Sequence, residues 1–233
     1  SVTVGYQLSY PDETISQLSP QECTKLKREG LYICMIKNPN PVAKNVTPQL
    51  SDAAFIREKV PMTKEEIRHV SICKLHLKSD SVLYDVGSGT GSIAVEAASL
   101  SDDMEVYAIE QKENAVQLIT QNKEKHGLEN IHVINAKAPD GMDNLPVPTH
   151  AFIGGSSGNL KEIIEALKAK NPHIRIVINA ISMETICEIK EILSAYDVKN
   201  EDIVQLQVSR SKQIGHYHLM QAENPVWICS FEF

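Results

Sequence analysis

From residue 81 to the C-terminus, short apolar runs alternate with stretches in which apolar residues recur every three or four positions. The short runs cover 81–87, 104–110, 131–136, 150–154, 173–180, 202–209 and 225–232, with turn signals such as His126-Gly127 and Asn171-Pro172 among the intervening segments. They predict seven strands. Between them, Glu113 to His126 places Ala115, Leu118 and Ile119 on one face, against Lys, Glu and Gln on the other. Leu160, Ile163, Ile164 and Leu167 repeat at helical spacing, as do Ile186, Ile189, Ile192 and Leu193. Such helices pack one apolar face on a sheet. The strand–helix alternation predicts an α/β fold with a largely parallel sheet and right-handed crossovers. No helical run separates the last two strands, so a final hairpin with an antiparallel last strand is expected.

The first 60 residues behave differently. They hold one good strand, Leu31 to Ile36, a short apolar start at Val2-Thr3-Val4, and turn-rich stretches around Tyr10-Pro11-Asp12 and Asn38-Pro39-Asn40-Pro41. This is too little apolar surface for an independent core. The Asn-Pro-Asn-Pro run with residues 42–51 reads as a linker, because proline excludes helix and lacks a ladder donor.

Composition narrows the class. With 233 residues, 42% hydrophobic content and a net charge of −7, the chain describes a mildly acidic globular enzyme with one main domain. No apolar run approaches the roughly 20 residues of a membrane span, and no signal peptide is evident, so a cytoplasmic protein without membrane partners is expected. The five cysteines are scattered without a C-x-x-C pair, which predicts free thiols. His216-Tyr217-His218 would share a strand face but has no third ligand, so no metal site is expected.

The chemistry concentrates where the first predicted strand runs into Asp85 and then Gly87-Ser88-Gly89-Thr90-Gly91, with a helical pattern from Ile93. Glycines at alternate positions permit positive φ and close ligand approach, and a following helix offers unpaired N–H groups. A dinucleotide fingerprint would need a third glycine where Ser92 stands. The sequence instead has Asp85-x-Gly-x-Gly-x-Gly, and Glu110 closes the next strand. This resembles the cofactor site of Rossmann-like, class I S-adenosylmethionine-dependent methyltransferases, which have a seven-stranded, mostly parallel sheet with an antiparallel last strand. In that resemblance Glu110 pairs with the ribose diol, which needs a carboxylate acceptor at a strand end.

Residues 59–68, Lys-Val-Pro-Met-Thr-Lys-Glu-Glu-Ile-Arg, sharpen the resemblance. Together with the glycine loop, Ala138-Pro139, Gly154-Gly155-Ser156-Ser157-Gly158, Asn179-Ala180 and Asn224-Pro225, they resemble the decarboxylating cobalt-precorrin C-15 methyltransferases of cobalamin biosynthesis, over residues 52–233. Residues 1–41 resemble the carboxy-terminal end of a C-5 precorrin methyltransferase, a tetrapyrrole methylase that some pathway members carry fused ahead of the C-15 enzyme. The chain is then expected to be the C-15 half of such a fusion with a remnant of the C-5 half. The resemblance implies S-adenosyl-L-methionine as cofactor, with contacts from Thr63, Gly87, Ser88, Gly89, Thr90, Gly91, Glu110 and Ala138, alongside Asp85 of the loop motif. It implies a cobalt-precorrin substrate whose ring-C acetate is lost, and a homo-oligomer, commonly a tetramer. Departures are Met62 after Pro61 where relatives often have glycine, Ser88 where they often have a cysteine or a similarly small residue, and Lys137 where they often carry a carboxylate toward the adenine.

Methyl transfer from a sulfonium to carbon needs proximity, alignment and exclusion of water rather than a protein nucleophile, so no catalytic residue is assigned. A substrate with many acetate and propionate groups calls for cationic anchors. Candidates are Lys64 and Arg68, one helical turn apart, and Arg210 near Lys212. Gly155, Ser156 and Ser157 follow the fourth strand, where small residues leave room for a flat ligand and backbone N–H groups could hold a carboxylate. A methyltransferase acting on RNA or another small molecule, and an inactive cofactor-binding scaffold, stay open at this point. Against nucleic acid stand the net charge and the absence of a basic stripe.

Overall fold

A computed structural model of the chain describes residues 1–39 and 47–233. It comprises two units, Ser1–Ala43 and Lys44–Phe233. Residues 42–46 of the expected linker, with Asn40 and Pro41 before it, lie outside the described residues.

The first unit is a three-stranded antiparallel sheet of β1 (Val2–Tyr6), β2 (Thr14–Leu18) and β3 (Tyr32–Ile36), in the order β2-β1-β3. A short helix α1 (Pro20–Cys23) follows β2, and Ser19 and Glu22 form a capping box at its start. The expected strand over 31–36 is present; β2 was not expected, because Thr-Ile-Ser-Gln-Leu carries little apolar alternation. Val4 is the buried large apolar side chain here, whereas Ile15 and Ile33, aligned across Gly5, are about two-thirds exposed at 67% and 64%. The scarcity of core matches the apolar content of the segment.

The second unit contains a seven-stranded sheet with helices on both faces. In chain order it comprises α2 (Glu65–Leu75), β4 (Val82–Val86), α3 (Ser92–Ala98), β5 (Glu105–Glu110), α4 (Glu113–Lys125), β6 (Ile131–Asn135), β7 (His150–Ile153), α5 (Leu160–Lys170), β8 (Arg175–Ala180), α6 (Met183–Ala195), β9 (Lys199–Leu206), β10 (Ser209–Ile214), β11 (Tyr217–Ala222) and β12 (Val226–Glu232). The sheet order is β6-β5-β4-β7-β8-β12-β9. All pairings among β4 to β8 are parallel, and β12 runs antiparallel to both neighbours. Successive side chains of β4 point to opposite faces. Leu83 joins a core with Ile67, Ile93 and Ile119 from α2, α3 and α4, while Tyr84 and Val86 join one with Ile163, Leu167 and Ile189 from α5 and α6. Burial on both faces explains why these strands read as continuous apolar runs.

The expected final hairpin is corrected in part. Strands β9 and β12 do pair antiparallel, but β10 and β11 intervene as a separate two-stranded sheet. The sequence Ser-Arg-Ser-Lys-Gln-Ile is solvent-facing and carries no period-2 apolar signal, so it reads as loop. For the same reason β9 begins three residues before its expected start: its first positions are exposed.

Candidate active site

Strand order reverses at β4, which has β5 on one side and β7 on the other: successive strands run outward one way to β6 and then the other way from β7 to β8. At such a switch point the loops leaving the two strands diverge and a crevice opens beyond their carboxyl ends. Here the loops are Gly87–Gly91 and Gly154–Gly158. They are tied to neighbouring strands: Gly87 N and Ser88 N donate to Ile109 O at 2.9 and 3.2 Å, and Gly154 N donates to Val86 O at 2.9 Å. Gly87 has φ +68°, and a Cβ there would lie 2.4 Å from Gly155 O, so only glycine lets the two loops meet. The crevice holds about 970 Å³.

Glu110 ends β5 at the crevice wall and is 8% exposed. Its Oε2 accepts from Gly89 N at 3.0 Å and its Oε1 from Lys112 N at 2.9 Å. Each oxygen retains a lone pair, so the carboxylate is oriented by the backbone and can still accept two hydroxyls. The next residue also spans the opening: Gln111 Nε2 donates to Ser157 Oγ at 2.7 Å, linking the loops after β5 and β7.

Asp85 lies beneath the loop, without solvent exposure. Its Oδ2 accepts from Ser88 Oγ at 2.6 Å and from Ala94 N at 3.1 Å, so it satisfies an N–H in the first turn of α3. Burial pushes its carboxyl up to about 7, opposed by those two hydrogen bonds and assisted by the nearby Glu110 charge.

The crevice brings together most of the residues expected from sequence: Thr63, Gly87, Ser88, Gly89, Glu110 and Ala138 on one side, with Lys64, Gly155, Ser156 and Ser157 around it. Five residues take other places. Asp85 supports the loop from below, as described. Thr90 is fully buried and its carbonyl accepts from Asn122 Nδ2 at 2.9 Å. Gly91 begins α3 at φ +78°, and a Cβ there would sit 3.1 Å from Ile119 Cγ2, so its smallness serves packing on α4.

Arg68 is corrected as a substrate anchor because it is completely buried away from the crevice. Its Nε donates to Glu96 Oε2 at 3.0 Å, one terminal nitrogen to Thr63 O at 2.8 Å and Asp52 Oδ1 at 3.3 Å, and the other to Leu50 O. Its guanidinium also stacks 4.6 Å above the centre of the Phe55 ring. Arg210 is likewise outside the crevice lining: it pairs with Glu66, with Glu223 Oε1 at 3.1 Å and with Asp52 Oδ2 at 3.8 Å. Three carboxylates already satisfy that charge.

The lining cations are Lys59, Lys64, Lys112 and Lys137. Lys59 and Lys112 were missed as candidates; their positions beside the Pro61 turn and just after Glu110 were the available signals. Lys64 lies 3.7 Å from Asp52 Oδ2 and is partly exposed.

The sequence profile described as the precorrin methyltransferase domain matches residues 53–232. The chain belongs to that family. Its family relatives include a probable cobalt-precorrin-6B C(15)-methyltransferase (decarboxylating) from Pyrobaculum calidifontis, 37% identical over 185 residues that cover 78% of this chain and 94% of the relative. The crystal structure of precorrin-6y C5,15-methyltransferase from Geobacter metallireducens matches with a TM-score of 0.76 at 31% identity, covering 82% of this chain and 100% of that one. A precorrin 8W decarboxylase structure from Methanobacterium thermoautotrophicum matches with a TM-score of 0.72 at 32% identity, over 78% of this chain and 98% of that one. The expected methyltransferase fold is therefore established for this family member, including its mostly parallel seven-stranded sheet.

Proposed function

We propose that the chain is an S-adenosylmethionine-dependent C-methyltransferase that methylates C-15 of a cobalt-precorrin and removes the ring-C acetate as carbon dioxide. The observation that carries this reading is Glu110, held by Gly89 and Lys112 backbone N–H groups at the rim of the switch-point crevice, in a chain matched across 53–232 by the precorrin methyltransferase domain.

The residues present fit the cofactor. Glu110 offers two oriented acceptor oxygens for a ribose diol, and the glycine pair Gly87 and Gly155 leaves no side chain where the two loops meet. Thr63, Ser88 and Ala138 line the same crevice. When bound, S-adenosylmethionine supplies a methyl group activated on a sulfonium. The protein's contribution is to hold donor and acceptor in line and exclude water. Lys59 and Lys64 are placed to anchor peripheral carboxylates of a macrocycle, and Gly155, Ser156 and Ser157 leave room for its flat body. Lys137 replaces the expected carboxylate before Ala138, so adenine recognition falls to backbone there.

The first unit fits the remnant of a C-5 methyltransferase domain: it lies ahead of the matched region, and the Geobacter structure is named for both positions. The protein is further proposed to assemble as a homo-oligomer, for which Ile214, Tyr217, Leu219 and Met220, exposed on the β10–β11 hairpin, supply an apolar surface.

Product mass tests the reading. Purified protein incubated with S-adenosylmethionine and a C-5-methylated cobalt-precorrin should add one methyl and lose one carbon dioxide; cofactor binding without any change of mass would overturn it in favour of a scaffold.

A further inference from the structure

The crevice has two chemically different walls. All four lining cations lie beside β5 and β6 or on the segment entering α2, whereas the wall formed by the end of β8 and the start of α6 is polar but uncharged: Asn179, Ser182 and Thr185. Glu223, just before β12, also lines the crevice, and its charge is paired with Arg210.

Asn179 is fixed from behind. Ser71 of α2 is fully buried, and its hydroxyl donates to Ile67 O at 2.7 Å. With its single proton engaged, Ser71 Oγ accepts from Asn179 Nδ2 at 3.0 Å. The second amide N–H has no further partner among the described residues, the carbonyl oxygen lies 3.1 Å from the same Ser71 hydroxyl, and the side chain borders the crevice. An oriented amide with spare hydrogen-bonding capacity on an uncharged wall suits a carboxylate that must be held without being strongly stabilised.

We infer that Asn179 orients the acetate that is lost, and that the uncharged wall around it distinguishes this carboxylate from those retained on the Lys59 and Lys64 side. The inference rests on the proposed decarboxylating methyltransferase activity. In the step, the bond between the acetate methylene and its carboxyl carbon breaks, its electron pair passes into the conjugated ring, and neutral carbon dioxide leaves. A proton from water ends on the methylene carbon, which becomes a methyl group. The carboxylate charge disperses during this step. A cation at that position would stabilise the ground state more than the transition state, whereas a neutral amide aligns the breaking bond and opposes its cleavage less.

Asn179→Ala and the isosteric Asn179→Asp test this with the full chain, S-adenosylmethionine and C-5-methylated cobalt-precorrin. Calorimetric S-adenosylmethionine affinity serves as the control for folding and for the cofactor side, and should stay within about twofold in both. Asn179→Ala should lower the ratio of decarboxylated to merely methylated product by about tenfold or more, and Asn179→Asp should raise the substrate KM by about tenfold through charge repulsion. An unchanged product ratio in Asn179→Ala, with the wild-type protein active, overturns the inference alone. A wild-type protein that binds cofactor yet leaves the substrate intact overturns the activity on which it rests.

Discussion

Arg68 Nε and Glu96 Oε2 meet at 3.0 Å with neither side chain more than 2% exposed. Glu96 Oε1 also accepts from Gln49 N at 2.7 Å and Leu50 N at 3.0 Å, so α3 and α2 jointly hold the segment that leads to Thr63. The pair thereby fixes backbone up to Thr63, which lines the crevice.

Removing one partner leaves an uncompensated buried charge. Arg68→Ala is expected to lower the unfolding free energy by about 3–5 kcal/mol. Urea denaturation of the variant against wild type checks this; a loss below about 1 kcal/mol would assign the residue to the solvated-pair range instead.

Glu110→Ala removes both the diol acceptor and the partner of Gly89 N. Affinity for S-adenosylmethionine should fall by roughly 10- to 100-fold, the range for losing charge-assisted hydrogen bonds. Isothermal titration of the folded variant measures it, and an unaltered affinity contradicts the ribose assignment.

Gly87→Ala places a methyl group 2.4 Å from a backbone oxygen at a positive φ. Neither problem is relieved by a side-chain rotation, so the β4 and β7 loops must separate, at a cost of at least about 1–3 kcal/mol. Cofactor affinity and thermal midpoint should both drop. Gly158→Ala, where a Cβ meets nothing within 4 Å despite φ +81°, should affect the midpoint without the same loss of binding.

The folded Asp85 carboxyl, pushed up to about 7 chiefly by burial, keeps a proton that the unfolded chain releases near pH 3.9. Between these values the folded state binds more protons, so this group's contribution to stability is fully present below about pH 4 and declines as pH rises toward 7. Asp85→Asn removes the titration. The wild-type stability relative to Asp85→Asn should therefore fall across that interval in urea unfolding at a series of pH values; parallel profiles would refute the shifted titration.

The glycine-loop side of the crevice was legible because its signals are local. A strand, a glycine turn and a helix start within twelve residues, and Glu110 ends the next apolar run. Arg68 was misread because i, i+4 spacing with Lys64 gives a shared helix face but says nothing of what covers it; residues 49–55 fold back over it from outside the helix. Arg210 was misread for a related reason. Its three acidic neighbours, Asp52, Glu66 and Glu223, are distant in sequence, and no periodicity links them. Thr90 and Gly91 belong to the motif yet face the core, since successive loop residues turn their side chains in different directions.

Strand β12 is the last of the seven sheet strands to be synthesised, yet it lies between β8 and β9. As the chain emerges during translation, β4 to β8 can pair in order of appearance, whereas β9 has no partner in the sheet until Val226–Glu232 arrives. Maturation of the enzyme is therefore polarised: the side of the crevice beside the glycine loop takes shape first, and the side facing Asn179 waits for β12.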